Sequence, residues 1–126
     1  MKKQLVLFLA IGILFLFVQS FSPEPPIEDV FPEEITSILK TSCYECHFTG
    51  ASSDKALKAV NFDNWDEYRT TKQIGLLSDI GKVTEERKMP PGKYLDNKPD
   101  AELSDTQIKQ LAEWTQQEAD KLMQGN

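Results

Sequence analysis

Apolar positions along this chain recur at helical spacing, and no stretch alternates as a half-buried strand would. Ile35, Ile38, Leu39, Ser42 and Cys46 fall on one stripe, which predicts a helix running into the cysteine cluster. Pro32 suits its first position, and Glu33 and Glu34 suit a first turn where the helix dipole favours negative charge. Phe62, Trp65 and Tyr68 repeat at i, i+3 and i+6, and Ile74, Leu77 and Ile80 continue that spacing. They predict a short helix and a longer one, with a break near Thr70–Thr71. The last stripe is the clearest: Ile108, Leu111, Ala112, Thr115, Ala119 and Leu122. Its start is marked by Ser104 as N-cap, by Gln107 completing a capping box, and by Leu103 and Ile108 flanking it as a hydrophobic staple. Between these segments, "FTGASSDKALKA" reads as a flexible patch. "KMPPGKYLDNKPDAELS" reads as a turn-rich loop, because proline and glycine do not continue a helix. The expectation is an all-α domain of about four helices over residues 31–123, with a short tail at 124–126.

The N-terminal end follows different rules. Lys2 and Lys3 precede a fourteen-residue apolar run from Leu5 to Val18. That is short of the roughly 20 residues a bilayer span needs, and it fits the core of a secretory signal peptide. Residues 1–20 are therefore expected to be a signal peptide or an uncleaved N-terminal anchor; Val18-Gln19-Ser20 is a fair cleavage site without being Ala-x-Ala. Residues 21–30, rich in proline and acids, suit an extended linker. The domain is expected to be exported to the periplasm, soluble after cleavage or held at the inner membrane through residues 5–18.

Charge narrows the partners. Beyond residue 20 the chain has 12 basic and 20 acidic residues, net −8. Phosphate repels such a surface, so nucleic acid is not an expected partner.

The chemistry lies in "TSCYECHFTG", which holds both cysteines and the only histidine of the 126 residues. Cys43-Tyr44-Glu45-Cys46-His47 is C-x-x-C-H, the spacing of a c-type haem attachment. Two thiols three positions apart reach the two vinyl groups of one macrocycle, and the adjacent imidazole is placed as the proximal ligand of the iron. A structural zinc would want four donors, a thioredoxin-like dithiol would want a βαβ setting, and a disulfide across two residues would close almost no loop. Haem c, joined through Cys43 and Cys46 with His47 on the iron, is the expected cofactor.

With one histidine, the sixth ligand has to be of another kind, and methionine is the usual partner in electron-transfer cytochromes. Of three candidates, Met1 is in the targeting segment and Met123 is near the C-terminus. Met89 stands in "KMPPG", where Pro90 and Pro91 stiffen the loop, and it is the expected ligand.

From about Phe31 to Met123 the chain resembles a class I c-type cytochrome, and more closely the small single-haem, haem-binding domain family of exported bacterial proteins. The resemblance rests on "CYECH", "NFDNWDEY", "KMPPGKY" and "AELSDTQIKQLAEW", in that order. It implies a small cytochrome c-like bundle around one covalently bound haem, axial bonds from His47 and Met89, and terminal helices crossing beside the haem. The small-residue and aromatic pair usual at that crossing is not evident in the first and last helices. Trp65 and Tyr68 are candidates to pack on the haem or bind a propionate, with a plain core role open to both. Arg69 is a weaker propionate candidate. Tyr94 is expected to fix the ligand loop or reach a propionate. Trp114 is expected in the core, and Lys72, Lys82, Lys88 and Lys93 on a solvated surface.

The function expected is electron transfer by ferrous/ferric cycling, without substrate turnover, to a membrane complex or an exported haem enzyme. Two alternatives stay open. One is a haem with an open or labile sixth position, acting as a gas sensor or weak peroxidase; the other is a haem subunit of a larger exported enzyme.

Overall fold

The last helix begins where its capping box places it. Ser104 Oγ accepts from the Gln107 amide at 3.3 Å, and Gln107 Oε1 accepts from the Ser104 amide at 2.9 Å. In the structure, a computed structural model that describes residues 30–125, this helix is the fifth and longest. The order is α1 (Glu33–Ser42), α2 (Asp54–Ala59), a 3₁₀ turn (Phe62–Glu67), α3 (Thr70–Glu85), α4 (Gly92–Leu95), a second 3₁₀ turn (Pro99–Ala101) and α5 (Asp105–Gln124). The fold is all-α, and no strand occurs among the described residues. Residues 1–20 and nearly all of the linker lie outside those residues, as do Met1 and the apolar run. Within them no helix is long and apolar enough to cross a membrane.

The core gathers around Phe31, which immediately precedes α1. Its ring meets Trp65 at 5.2 Å, Trp114 at 5.4 Å and Phe62 at 6.2 Å, all edge to face. Such pairs contribute about 0.5–1.5 kcal/mol each beyond the area they bury. Ile35, Ile38 and Leu39 of α1, Leu76, Leu77 and Ile80 of α3, and Leu111 of α5 fill the space around them. Trp114 thus belongs to the core, as its place on the margin of the last stripe suggested.

α5 packs chiefly along α3, and more lightly against α1. The closest approach is at Gly81, where a Cβ would lie 2.8 Å from Thr115 Oγ1. The small residue that permits a close helix crossing is therefore in the third helix, and the aromatic contact between the terminal segments is Phe31 with Trp114.

Five local expectations need adjustment. Pro32 is the N-cap of α1, one position ahead of the first-turn place expected for it. α1 stops at Ser42, short of Cys46, because the Cys43 and Tyr44 amides both turn back to the Leu39 carbonyl (2.9 and 2.8 Å). The flexible patch contains α2, capped by Ser53 Oγ accepting from the Ala56 amide at 3.2 Å. The loop after Met89 contains α4, one turn long, which starts as soon as Pro91 is passed. The break expected near Thr70–Thr71 falls at Tyr68–Arg69, with Arg69 as the exposed N-cap of α3.

Candidate functional site

Cys43 to His47 forms a tight turn after α1. The Cys46 and His47 amides both reach the Cys43 carbonyl at 3.2 Å, so the two thiols and the imidazole are held on one short curl of backbone. The far side of the curl is fastened to the segment at 60–63. His47 Nδ1 lies 3.0 Å from the Val60 carbonyl oxygen, and the His47 carbonyl accepts from the Phe62 amide at 2.9 Å. A carbonyl only accepts, so Nδ1 carries the proton and Nε2 keeps its lone pair for a metal. Asp63 completes the fastening. Its Oδ2 accepts from the Thr49 amide at 2.7 Å, and its Oδ1 accepts a short bond from the Tyr44 hydroxyl.

A cavity of about 320 Å³ opens over this turn. Cys43, Cys46 and His47 line one side, Met89, Pro90, Pro91 and Tyr94 another, and Ser53, Lys55, Ala56 and Ala59 of the α2 segment a third. Five of the seven residues nominated from the sequence thus meet in one place: Cys43, Cys46, His47, Met89 and Tyr94. Trp65 and Tyr68 do not line it. Trp65 is buried against Phe31, and the Tyr68 hydroxyl accepts from the Asn61 amide at 3.0 Å. Met123 is 54% exposed and borders a separate groove between α3 and α5. Arg69 is absent from the cavity wall as well.

The Met89 loop is aimed by the end of α3. Arg87 has φ 51°, a left-handed residue of the kind that ends many helices, though glycine usually takes that place. The Arg87 amide bonds to the Thr84 carbonyl at 3.0 Å and the Lys88 amide to the Val83 carbonyl at 2.9 Å, which is the Schellman pattern. The Met89 amide shares the Val83 carbonyl at 3.2 Å. The Arg87 side chain spans to the start of α5, pairing with Asp105 and donating to the Leu103 carbonyl at 3.4 Å. Beyond Met89, the Tyr94 and Leu95 amides close on the Pro91 carbonyl, and the Tyr94 hydroxyl donates to Glu45 Oε2 at 2.8 Å. Lys98 Nζ lies 3.4 Å from the same oxygen.

These contacts set the electrostatics. Burial, with Cys46 adding to it, pushes the Cys43 thiol up to about 12, so it is a thiol and not a thiolate at neutral pH. Burial and the bond to Asp63 raise the Tyr44 phenol to about 12. The bonds from Tyr94 and then Lys98 hold the exposed Glu45 carboxyl below its ordinary value. Among the described residues, Lys55 is the one charged side chain on the cavity wall.

Among the described residues no three His, Cys, Asp or Glu side chains are placed to hold a metal ion together, the arrangement a structural zinc needs. The model of one family, the haem-binding domain, matches residues 50–117. The chain belongs to this haem-binding domain family. The match starts three residues after His47 and takes in the α2 wall, the Met89 loop and most of α5. No curated protein and no solved structure matches the chain. The residues present fit the cofactor of a haem-binding domain: an imidazole whose Nδ1 faces the Val60 carbonyl, two thiols beside it, a thioether, and walls that are mostly apolar.

The sequence alone did not single out Glu45, Asp63, Arg87, Lys55 or the Val60 carbonyl. Glu45 and Asp63 act through hydrogen bonds to residues 49 and 19 positions away. No local pattern encodes those.

Proposed function

We propose that the protein is an exported single-haem c-type cytochrome that carries electrons, with the haem joined to Cys43 and Cys46 and the iron bound by His47 and Met89. The observation that carries this is the convergence of Cys43, Cys46, His47 and Met89 on one cavity, with His47 Nδ1 already engaged by Val60. A haem held between imidazole and thioether supplies one-electron ferrous/ferric chemistry at a raised potential. Every other part belongs to the chain. Val60 fixes the tautomer and direction of the imidazole, which also raises its basicity as a ligand. Cys43 and Cys46 serve as sites of thioether attachment. Ala56, Ala59, Pro90 and Pro91 keep water from the site, and a filled sixth position leaves no place for substrate, so turnover is not expected. The electron partners in this reading are a membrane complex or an exported haem enzyme, and residues 5–18 direct export or tether the domain.

The test is the visible spectrum of protein matured in an export-competent host, oxidised and then reduced. Haem that stays on the chain through denaturation, and a six-coordinate low-spin ferric spectrum with a methionine charge-transfer band lost in Met89→Ala, are expected. A high-spin ferric spectrum would overturn the Met89 assignment.

An open or labile sixth position, suited to a gas sensor or weak peroxidase, would show as fast carbon monoxide binding to the reduced wild-type protein.

A further inference from the structure

The second of the two residues between the cysteines, Glu45, reaches across to the loop that carries Met89. Glu45 Oε2 accepts from the Tyr94 hydroxyl at 2.8 Å and lies 3.4 Å from Lys98 Nζ. Tyr94 is joined rigidly to what precedes it, because its amide bonds to the Pro91 carbonyl at 2.9 Å within the single turn of α4. Pro90 and Pro91 fix φ between that turn and Met89. A pull on the Tyr94 hydroxyl is therefore transmitted along a stiff five-residue arm to the thioether. At the other end of the same arm, the Schellman turn at Arg87 fixes where the loop leaves α3.

We propose that Glu45 is a positioning residue for the sixth ligand: through Tyr94, with Lys98 in support, it latches the Met89 loop to the attachment turn. Glu45 touches neither the iron nor the thioether; it sets how often the loop swings away. The inference rests on the reading of Met89 as a ligand. The attachment turn is fixed on its far side by Asp63 and Val60. Glu45 thus ties the loop that carries Met89 to a part of the site that is itself anchored. Lys98 adds a second tie from the segment after α4, and Lys98 and Tyr94 meet the same carboxylate oxygen.

Carbon monoxide reports the latch directly, because it binds the reduced iron only when the thioether has left. The matured protein is compared with Glu45→Ala, Tyr94→Phe, the double variant, and Glu45→Gln, by stopped-flow carbon monoxide binding, the methionine charge-transfer band and thermal unfolding. A charge-assisted hydrogen bond at an exposed position shifts an equilibrium roughly fivefold. Glu45→Ala and Tyr94→Phe are expected to speed carbon monoxide binding about fivefold each, and the double variant no more than either alone. Glu45→Gln, which keeps an acceptor for Tyr94, is expected to stay nearer wild type. Unchanged rates in both single variants, or effects that multiply in the double, would overturn the latch. So would a loss of thermal stability with no change in rate, which would make the contact merely structural. If the wild type itself lacks the charge-transfer band and binds carbon monoxide at once, Met89 ligation fails first. That outcome is distinct from failure of the latch.

Discussion

The Val60 carbonyl oxygen and His47 Nδ1 lie 3.0 Å apart, and this contact decides which ring nitrogen is left for a metal. Neutral imidazole in water has no such constraint; here the carbonyl selects the Nδ1–H form. Long-range nitrogen–proton NMR on haem-free protein, at a pH where the ring is neutral, should show the Nδ1–H tautomer. An Nε2–H tautomer would mean the contact is not made in solution. Phe62→Ala should disturb the same ring, because the Phe62 ring stands edge-on to the imidazole at 6.0 Å. It should also cost about 3–5 kcal/mol of stability, as buried phenylalanines do.

Tyr44 and Tyr94 both have phenols raised to about 12, in each case first by burial and then by the carboxylate they bond. The neutral phenol is the form the fold favours. Their contribution to stability is complete below the ordinary tyrosine value of about 10 and is lost as pH rises through about 12. An ultraviolet titration should therefore show tyrosinate from these residues late. Stability to denaturant should hold to about pH 10 and then fall. In Tyr44→Phe the late component should shrink; an unchanged curve would show that the Asp63 bond is not formed.

Gly81 is buried where α3 meets α5. Alanine at a helical position is ordinarily better than glycine by about 1 kcal/mol. Here its Cβ would meet Thr115 Oγ1 at 2.8 Å, so Gly81→Ala should instead destabilise by about 1–3 kcal/mol, as overpacking does. Adding Thr115→Ala removes the obstructing oxygen and should recover part of that loss. Denaturant melts of the two variants measure the difference.

Arg87 combines an unfavourable backbone with a useful side chain. Arg87→Gly relieves the left-handed φ but gives up the contacts to Asp105 and Leu103, so its stability should stay within about 1 kcal/mol of wild type. Arg87→Ala keeps the strain and loses the contacts, and should be the less stable of the two by about 1 kcal/mol. Equal melting temperatures would show that the backbone at this position is not strained.

Periodicity made α1, α3 and α5 legible, and the capping box at Ser104 located the start of α5 to the residue. Each of those helices turns a broad apolar stripe to one core, so the pattern is dictated by packing. α2 and α4 left no such trace. Neither buries a residue, and α2 forms because Ser53 caps it, with Asp54 and Lys58 placed to suit its dipole. The C-x-x-C-H motif was equally plain, since both cysteines and the histidine stand within five consecutive positions. Trp65 and Tyr68 were ambiguous because an aromatic at helical spacing looks alike beside a cofactor or in a core. The structure puts Trp65 against Phe31 and Tyr68 against Asn61. Met89 was singled out by its prolines, and the structure places it on the cavity wall. What holds Met89, Glu45 in one direction and Arg87 in the other, depends on contacts 49 and 18 residues apart and on a backbone angle glycine would normally signal.

α2 buries nothing of its own, yet Ala56 and Ala59 form a wall of the cavity. A helix of six residues in that position has little to resist fraying, whereas α3 and α5 are locked together along their length. Amide hydrogens of residues 54–59 should therefore exchange through small local openings, and those around Leu77 and Leu111 only when the whole domain unfolds. A bound cofactor resting on Ala56 and Ala59 would suppress the first kind of opening by mass action and leave the second to the core. The exchange rate of this one short helix then becomes a gauge of how much of a preparation carries its haem.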